Sequence, residues 1–128
     1  AMSDTSIPLT VNEWDEWGDP RDPAFMSYMA GYSPYDNPPP AQDRPPLLVT
    51  GAVHDPRVLV REPAKWVSTL RASDPGRGAG TDPGDPTSPG TVLFRVETSE
   101  GSHSGPAGRF GHLDYEAEVA AWLVSALL

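Results

Sequence analysis

Leu47-Leu48-Val49-Thr50-Gly51-Ala52-Val53 is the stretch on which the fold turns. Pro45 and Pro46 precede this short apolar run, and His54-Asp55-Pro56-Arg57 follows it. A strand washed by solvent on one face would alternate polar and apolar residues. A continuous run bounded by prolines instead fits a strand covered on both faces, as in a parallel sheet. Downstream, Glu62 to Arg71 predicts a helix, with Pro63 in its first turn and Trp66 and Leu70 stacked one turn apart. Thr91 to Thr98 predicts a second strand, with Val92, Phe94 and Val96 on one face and Leu93, Arg95 and Glu97 on the other. A closing helix is expected from about Tyr115 to Leu128, its apolar stripe made by Tyr115, Val119, Trp122, Leu123, Ala126 and Leu127. Asp114 is placed to cap it, and Glu116 and Glu118 suit the positive end of its dipole. The order strand, helix, strand, helix implies an α/β fold with parallel strands alternating with helices.

The remainder is heavily punctuated. Residues 1–20 read as polar and interrupted, with Glu13-Trp14-Asp15-Glu16-Trp17 ending at Gly18. Asp22-Pro23 predicts the start of a short helix that presents Phe25, Met26 and Met29 on one face and stops at Gly31. From Tyr32 to Pro46 the prolines remove donors and restrict their neighbours, so a loop is expected. Residues 73–90 are rich in Gly, Pro and Asp and read as a flexible loop insertion. There is no internal repeat and no glycine-rich nucleotide fingerprint.

Composition narrows the possibilities. A chain of 128 residues suits one domain or part of one. With 16 Pro, 12 Gly and 38% hydrophobic residues, much of it must be loop. The apolar segments can build a modest core, with fewer strands than a self-sufficient α/β domain usually has. A formal net charge of −9 repels phosphate backbones, which argues against nucleic acid as a partner. The lack of cysteine excludes disulfides and thiolate catalysis, and fits a reducing, cytoplasmic setting. No segment approaches the roughly 20 apolar residues that span a bilayer, so no membrane partner is expected. No secretory signal pattern is visible either.

In open parallel sheets, ligands bind beyond the carboxyl ends of the strands. The two loops expected there hold Asp55 and His103. A carboxylate that fixes an imidazole is half of a Ser-His-Asp device, and Gly101-Ser102-His103-Ser104-Gly105 offers the histidine an accessible loop. Asp55 before His103 also fits the Ser, Asp, His order of α/β-hydrolases. Blander readings stand beside this one: an Asp-Pro pair serves as a turn, and a histidine in a Gly/Ser loop is simply solvated. His54 adjoins Asp55 and is read as local, while His112 suits packing under the last helix. A metal site from His54, Asp55 and His103 lacks ligand spacing, so no metal is expected, and nothing calls for a cofactor. No Gly-x-Ser-x-Gly elbow occurs in the chain, and no oxyanion loop suggests itself.

Several motifs, taken together and in order, resemble one known family. They are Pro8-Leu9-Thr10, Glu13-Trp14-Asp15-Glu16-Trp17-Gly18, Tyr32-Ser33-Pro34-Tyr35-Asp36-Asn37, Leu48-Val49-Thr50-Gly51, His54-Asp55-Pro56-Arg57-Val58, Glu62-Pro63-Ala64-Lys65-Trp66 and the loop from His103 to Arg109. Each is similar to the prolyl oligopeptidase family of serine peptidases, and in particular to its oligopeptidase B branch. The resemblance implies that residues 1–128 are the C-terminal part of a catalytic domain of α/β-hydrolase fold. It implies Asp55 as triad acid, His103 as general base and Arg57 as a ligand of a substrate backbone carbonyl. It further implies cleavage of short peptides after Lys or Arg, with the serine and a propeller domain supplied upstream. On that reading the chain is a fragment, inactive alone. Two features depart from the pattern: the long 73–90 loop, and Ser102 and Ser104 where glycines are usual around the histidine. A non-catalytic acidic interaction module and a different α/β-hydrolase, such as an esterase, are the competing expectations.

Overall fold

A computed structural model describes residues 2–73 and 85–128, so residues 74–84 of the expected 73–90 insertion lie outside the described residues. The chain falls into two compact units, Ala1–Pro38 and Pro39–Leu128.

The larger unit carries the predicted parallel pair. Strands β1 (Leu47–Ala52) and β2 (Val92–Glu97) run in register from Leu47↔Val92 to Ala52↔Glu97. Helix α3 (Arg61–Ala72) lies between them in sequence, and α4 (Arg109–Leu127) follows β2. Alternate side chains of each strand point to opposite faces. On one face Val92 and α3's Val67 and Leu70 are at most 2% exposed, with Leu47, Val49, Trp66 and Phe94 packed around them. On the other face Leu48 and Thr50 border a groove with Tyr115, Val119 and Trp122 of α4. Gly51 lets α3 come close to the sheet, because a Cβ there would meet Pro63 Cγ at 3.2 Å and Phe94 Cε2 at 3.4 Å.

Arginines close the ends of these elements. The buried Arg44 donates from Nη1 to the Leu70 carbonyl at 3.0 Å, satisfying an orphan acceptor at the C-terminus of α3. Arg71 donates from Nη2 to the Val92 carbonyl at 2.8 Å and ties α3 to the start of β2. The described end of the 73–90 segment is a turn. Asp85 accepts from the Thr87 amide and from the Thr87 and Ser88 hydroxyls, and Trp122 Nε1 donates to the Pro86 carbonyl.

Four local expectations need correction. The first 20 residues are not uniformly irregular, because Thr10–Trp17 forms helix α1. Helix α2 (Pro23–Tyr32) is capped by Asp22 as expected, its carboxylate accepting the Ala24 amide at 2.8 Å. It runs through Gly31, however, and stops where Pro34 forces Ser33 into an extended conformation. Helix α4 begins six residues earlier than its apolar stripe suggests, at Arg109. Asp114 is therefore inside the helix and not its cap, and Gly108, at φ 81°, makes the turn into it.

Of the expected stripe, Tyr115, Val119, Trp122 and Ala126 are half-buried while Leu123 and Leu127 are exposed, and α4 presents a further apolar row. Phe110, Leu113, Val124 and Leu127 share one side at helical spacing, and Phe110 and Leu127 are 78% and 82% exposed. Among the described residues, each strand also has one unpaired edge. Exposed rows and edges of this kind drive association. Sedimentation velocity on the 128-residue chain is expected to show concentration-dependent self-association. The double variant Phe110→Glu, Leu127→Lys should weaken it by about tenfold or more, since burying each large apolar side chain stabilises by about 1.5–3 kcal/mol. A sharp two-state melt of a monomer would contradict this expectation.

Candidate active site

The site starts where β1 ends. Directly after the strand, the Asp55 amide donates to the Ala52 carbonyl at 3.3 Å, closing a tight turn. This turn leaves the Asp55 carboxylate buried, at 7% exposure. Pro56 has no amide to offer, so the next two do the work. The Arg57 and Val58 N–H groups donate to Asp55 Oδ1 at 2.8 and 3.0 Å. Asp55 Oδ2 then remains for a second partner.

That partner comes from β2. Parallel pairing places the ends of both strands together, at Ala52↔Glu97, so the two following loops leave on the same side of the sheet. The second loop folds into a tight turn: the Ser102 amide donates to the Gly105 carbonyl at 2.9 Å, and the Gly105 amide returns to Ser102 at 3.0 Å. His103 and Ser104 form its tip. Gly101 is buried and must be glycine, because a Cβ there would lie 2.6 Å from the Gly105 carbonyl oxygen. The turn sets His103 Nδ1 2.8 Å from Asp55 Oδ2.

The electrostatics follow from these contacts. Burial works against charge on Asp55. The Val58 amide, the His103 ring, the Arg57 amide and the charge of His103 together outweigh it and hold the carboxyl below its ordinary value. An ionised carboxylate at Nδ1 selects the imidazole tautomer that carries its proton there. Nε2 is left with a free lone pair, and the His103 side chain is 46% exposed. A fixed carboxylate behind an accessible imidazole can accept a proton from a hydroxyl and return it to a leaving group. A cleft of about 200 Å³ lies beside the pair, lined among others by Ser102, Gly105, Glu97 and Tyr115.

The structure thus brings Asp55 and His103 together, and the two readings of Asp55 turn out to be compatible. Its Oδ1 organises the turn while its Oδ2 meets the ring. Arg57 joins through its backbone; its side chain is exposed and is not among the residues lining the cleft. His54 is exposed and outside the cleft lining. His112 lies within α4, stacked on Tyr115 at 6.5 Å between ring centroids. Among the described residues no group of three or more His, Cys, Asp or Glu is arranged to hold a metal ion. No described helix is long and apolar enough to cross a membrane.

Sequence reasoning did not single out Tyr115 or Glu97 as neighbours of the site. Glu97 was legible only as a residue near the end of the expected Thr91 to Thr98 strand, which in the structure stops at Glu97. Tyr115 carried no such signal, since its stripe on the helix reads as ordinary packing.

Comparison with known proteins shows the family. The model of the prolyl oligopeptidase family matches residues 1–128. Protease 2 of Moraxella lacunata is 44% identical over 126 residues, and Dipeptidyl aminopeptidase BI of Pseudoxanthomonas mexicana is 37% identical over 126. Each alignment covers 98% of this chain and 16% of the relative, so the chain spans about a sixth of the length of the curated relatives it matches. The solved structure of oligopeptidase B from Leishmania major superimposes with a TM-score of 0.71 and 37% identity, covering 98% of this chain and 16% of that one. The strands and helices described above are a portion of the α/β-hydrolase fold, and the chain belongs to the prolyl oligopeptidase family of serine peptidases.

Proposed function

We propose that this chain supplies the acid and base of a peptidase active site, with Asp55 orienting His103. The observation that carries the reading is the 2.8 Å contact between His103 Nδ1 and the buried, doubly capped Asp55 carboxylate. His103 Nε2 takes the proton of a serine hydroxyl as its oxygen adds to the scissile carbonyl. It then gives that proton to the departing amine, leaving an acyl-enzyme. Water, deprotonated by the same nitrogen, releases the acid and restores the serine. No Gly-x-Ser-x-Gly elbow exists in the 128 residues, so the serine and its oxyanion donors come from the rest of the catalytic domain.

The substrates in this proposal are short peptides cut after Lys or Arg, and a propeller domain upstream restricts access to them. Likeness to the oligopeptidase B branch supports both points. Arg57 is assigned the substrate's backbone carbonyl, its exposed side chain being free to reach outward from the capped turn. Relatives named as a protease and as a dipeptidyl aminopeptidase match at comparable identity.

The purified chain should not label with a serine-hydrolase phosphonate probe; clear labelling would contradict the assignment. Co-expression with the upstream catalytic segment should restore cleavage of Arg-amide substrates over neutral amides. In that assembly Asp55→Asn should lower kcat roughly 10³–10⁴-fold, and His103→Ala by at least as much, with KM little changed. Equal cleavage of simple esters and indifference to Arg would favour an esterase, and tight assembly without turnover would favour an interaction module.

A pH effect follows from the depressed Asp55 carboxyl. A group with a lowered folded value stabilises the fold above its unfolded value and loses that contribution as pH falls through the folded one. Thermal melts should show the chain losing stability in the acid carboxylate range, and Asp55→Asn should flatten that limb. An unchanged acid limb in the variant would show that Asp55 does not contribute.

A further inference from the structure

The Asp55 carboxylate holds only one atom of a half-exposed ring, and His103 sits at the tip of a two-residue turn. Something must keep that turn at the right height above the sheet. The contacts lead to α4. A Cβ at Gly105, whose φ is 96°, would lie 3.3 Å from Cδ1 and 3.4 Å from Cε1 of Tyr115, so the turn rests directly against that ring. The ring is braced from β2, where the Arg95 guanidinium stands 4.4 Å from its centroid. Arg95 is itself fixed, donating from Nε to Glu118 at 2.6 Å, with Glu97 3.8 Å from Nη1. Tyr115 lines the same cleft as Asp55 and His103.

We propose that Tyr115 is a positioning residue for His103, its ring being the floor that sets the Ser102–Gly105 turn and so the distance between imidazole and carboxylate. The proposal rests on the reading of His103 as the base. It assigns to Arg95 and Glu118 the task of holding that floor against β2. Among the described residues the Tyr115 hydroxyl has no hydrogen bond, so the flat ring, not the oxygen, is what matters. Helix α4 is thereby part of the active site's frame as well as a covering layer. An aliphatic side chain at 115 would fill similar volume on the helix stripe, yet would give the turn no flat surface to lie on.

The test is read at the imidazole of the 15N-labelled chain, carried in the Phe110→Glu, Leu127→Lys background to limit association. Long-range proton–nitrogen correlation gives the ratio of the two neutral tautomers of His103. The parent should favour the form protonated at Nδ1, and Tyr115→Phe should keep that ratio within about twofold. Tyr115→Leu and Tyr115→Ala should shift it toward the Nε2 form by about fivefold or more, while amide protection at Val49 and Phe94 stays as in the parent. Should the alanine variant lose α4, the leucine variant decides. An unchanged ratio in Tyr115→Leu with the sheet intact overturns the proposal, as does a loss in Tyr115→Phe as large as in Tyr115→Leu. Asp55→Asn separates the two levels of argument. If that substitution leaves the ratio unchanged, the Asp55–His103 pairing itself fails, whatever Tyr115 does.

Discussion

A single hydrogen bond between two loops, from the His103 ring to the Asp55 carboxylate, joins the ends of the two strands. The residues are 48 apart in sequence, and parallel pairing is what joins them. Had β1 and β2 been antiparallel, their following loops would leave opposite ends of the sheet. The core of Val67, Leu70 and Val92 secures that pairing by clamping α3 across one face. Arg44 and Arg71 add hydrogen bonds at the far ends of the same elements.

The two partners live in opposite environments, and the chemistry needs both. Asp55 is buried but loses little by it, because amides cap one oxygen and the imidazole meets the other. Such a carboxylate is ionised without water and points in one direction. His103 instead stands in a glycine-framed turn with nearly half its side chain exposed, which leaves Nε2 accessible. Burial of Asp55 and exposure of His103 are consequences of the sharp turn after β1 and the two-residue turn after β2.

Much of this was legible in the sequence, for identifiable reasons. The apolar run at Leu47 encodes a covered strand and the alternation at Val92 encodes a second one, and Asp55 and His103 follow as candidates from the rule that sites lie beyond strand ends. Helix ends were less legible where side-chain pattern and backbone chemistry disagree. Gly31 reads as a stop, yet Pro34 provides it; Asp114 reads as a cap, yet Gly108 starts the helix. Helix α1 was hidden because it is only eight residues long and is preceded by Leu9, with no side-chain cap to announce it. Tyr115 was invisible as a site residue, since its contact with Gly105 depends on how α4 docks, which no local pattern records.

The chain belongs to a family of serine peptidases and covers about a sixth of the length of the curated relatives it matches. The proposed contribution of this chain is a coupled pair of groups, so the sharpest test is whether they act as one. A double-mutant cycle on Asp55 and His103, in the enzyme reassembled with its serine-bearing segment, measures that coupling. If the two groups act as one, Asp55→Asn combined with His103→Ala slows turnover no further than His103→Ala alone. Losses that simply multiply would contradict that coupling.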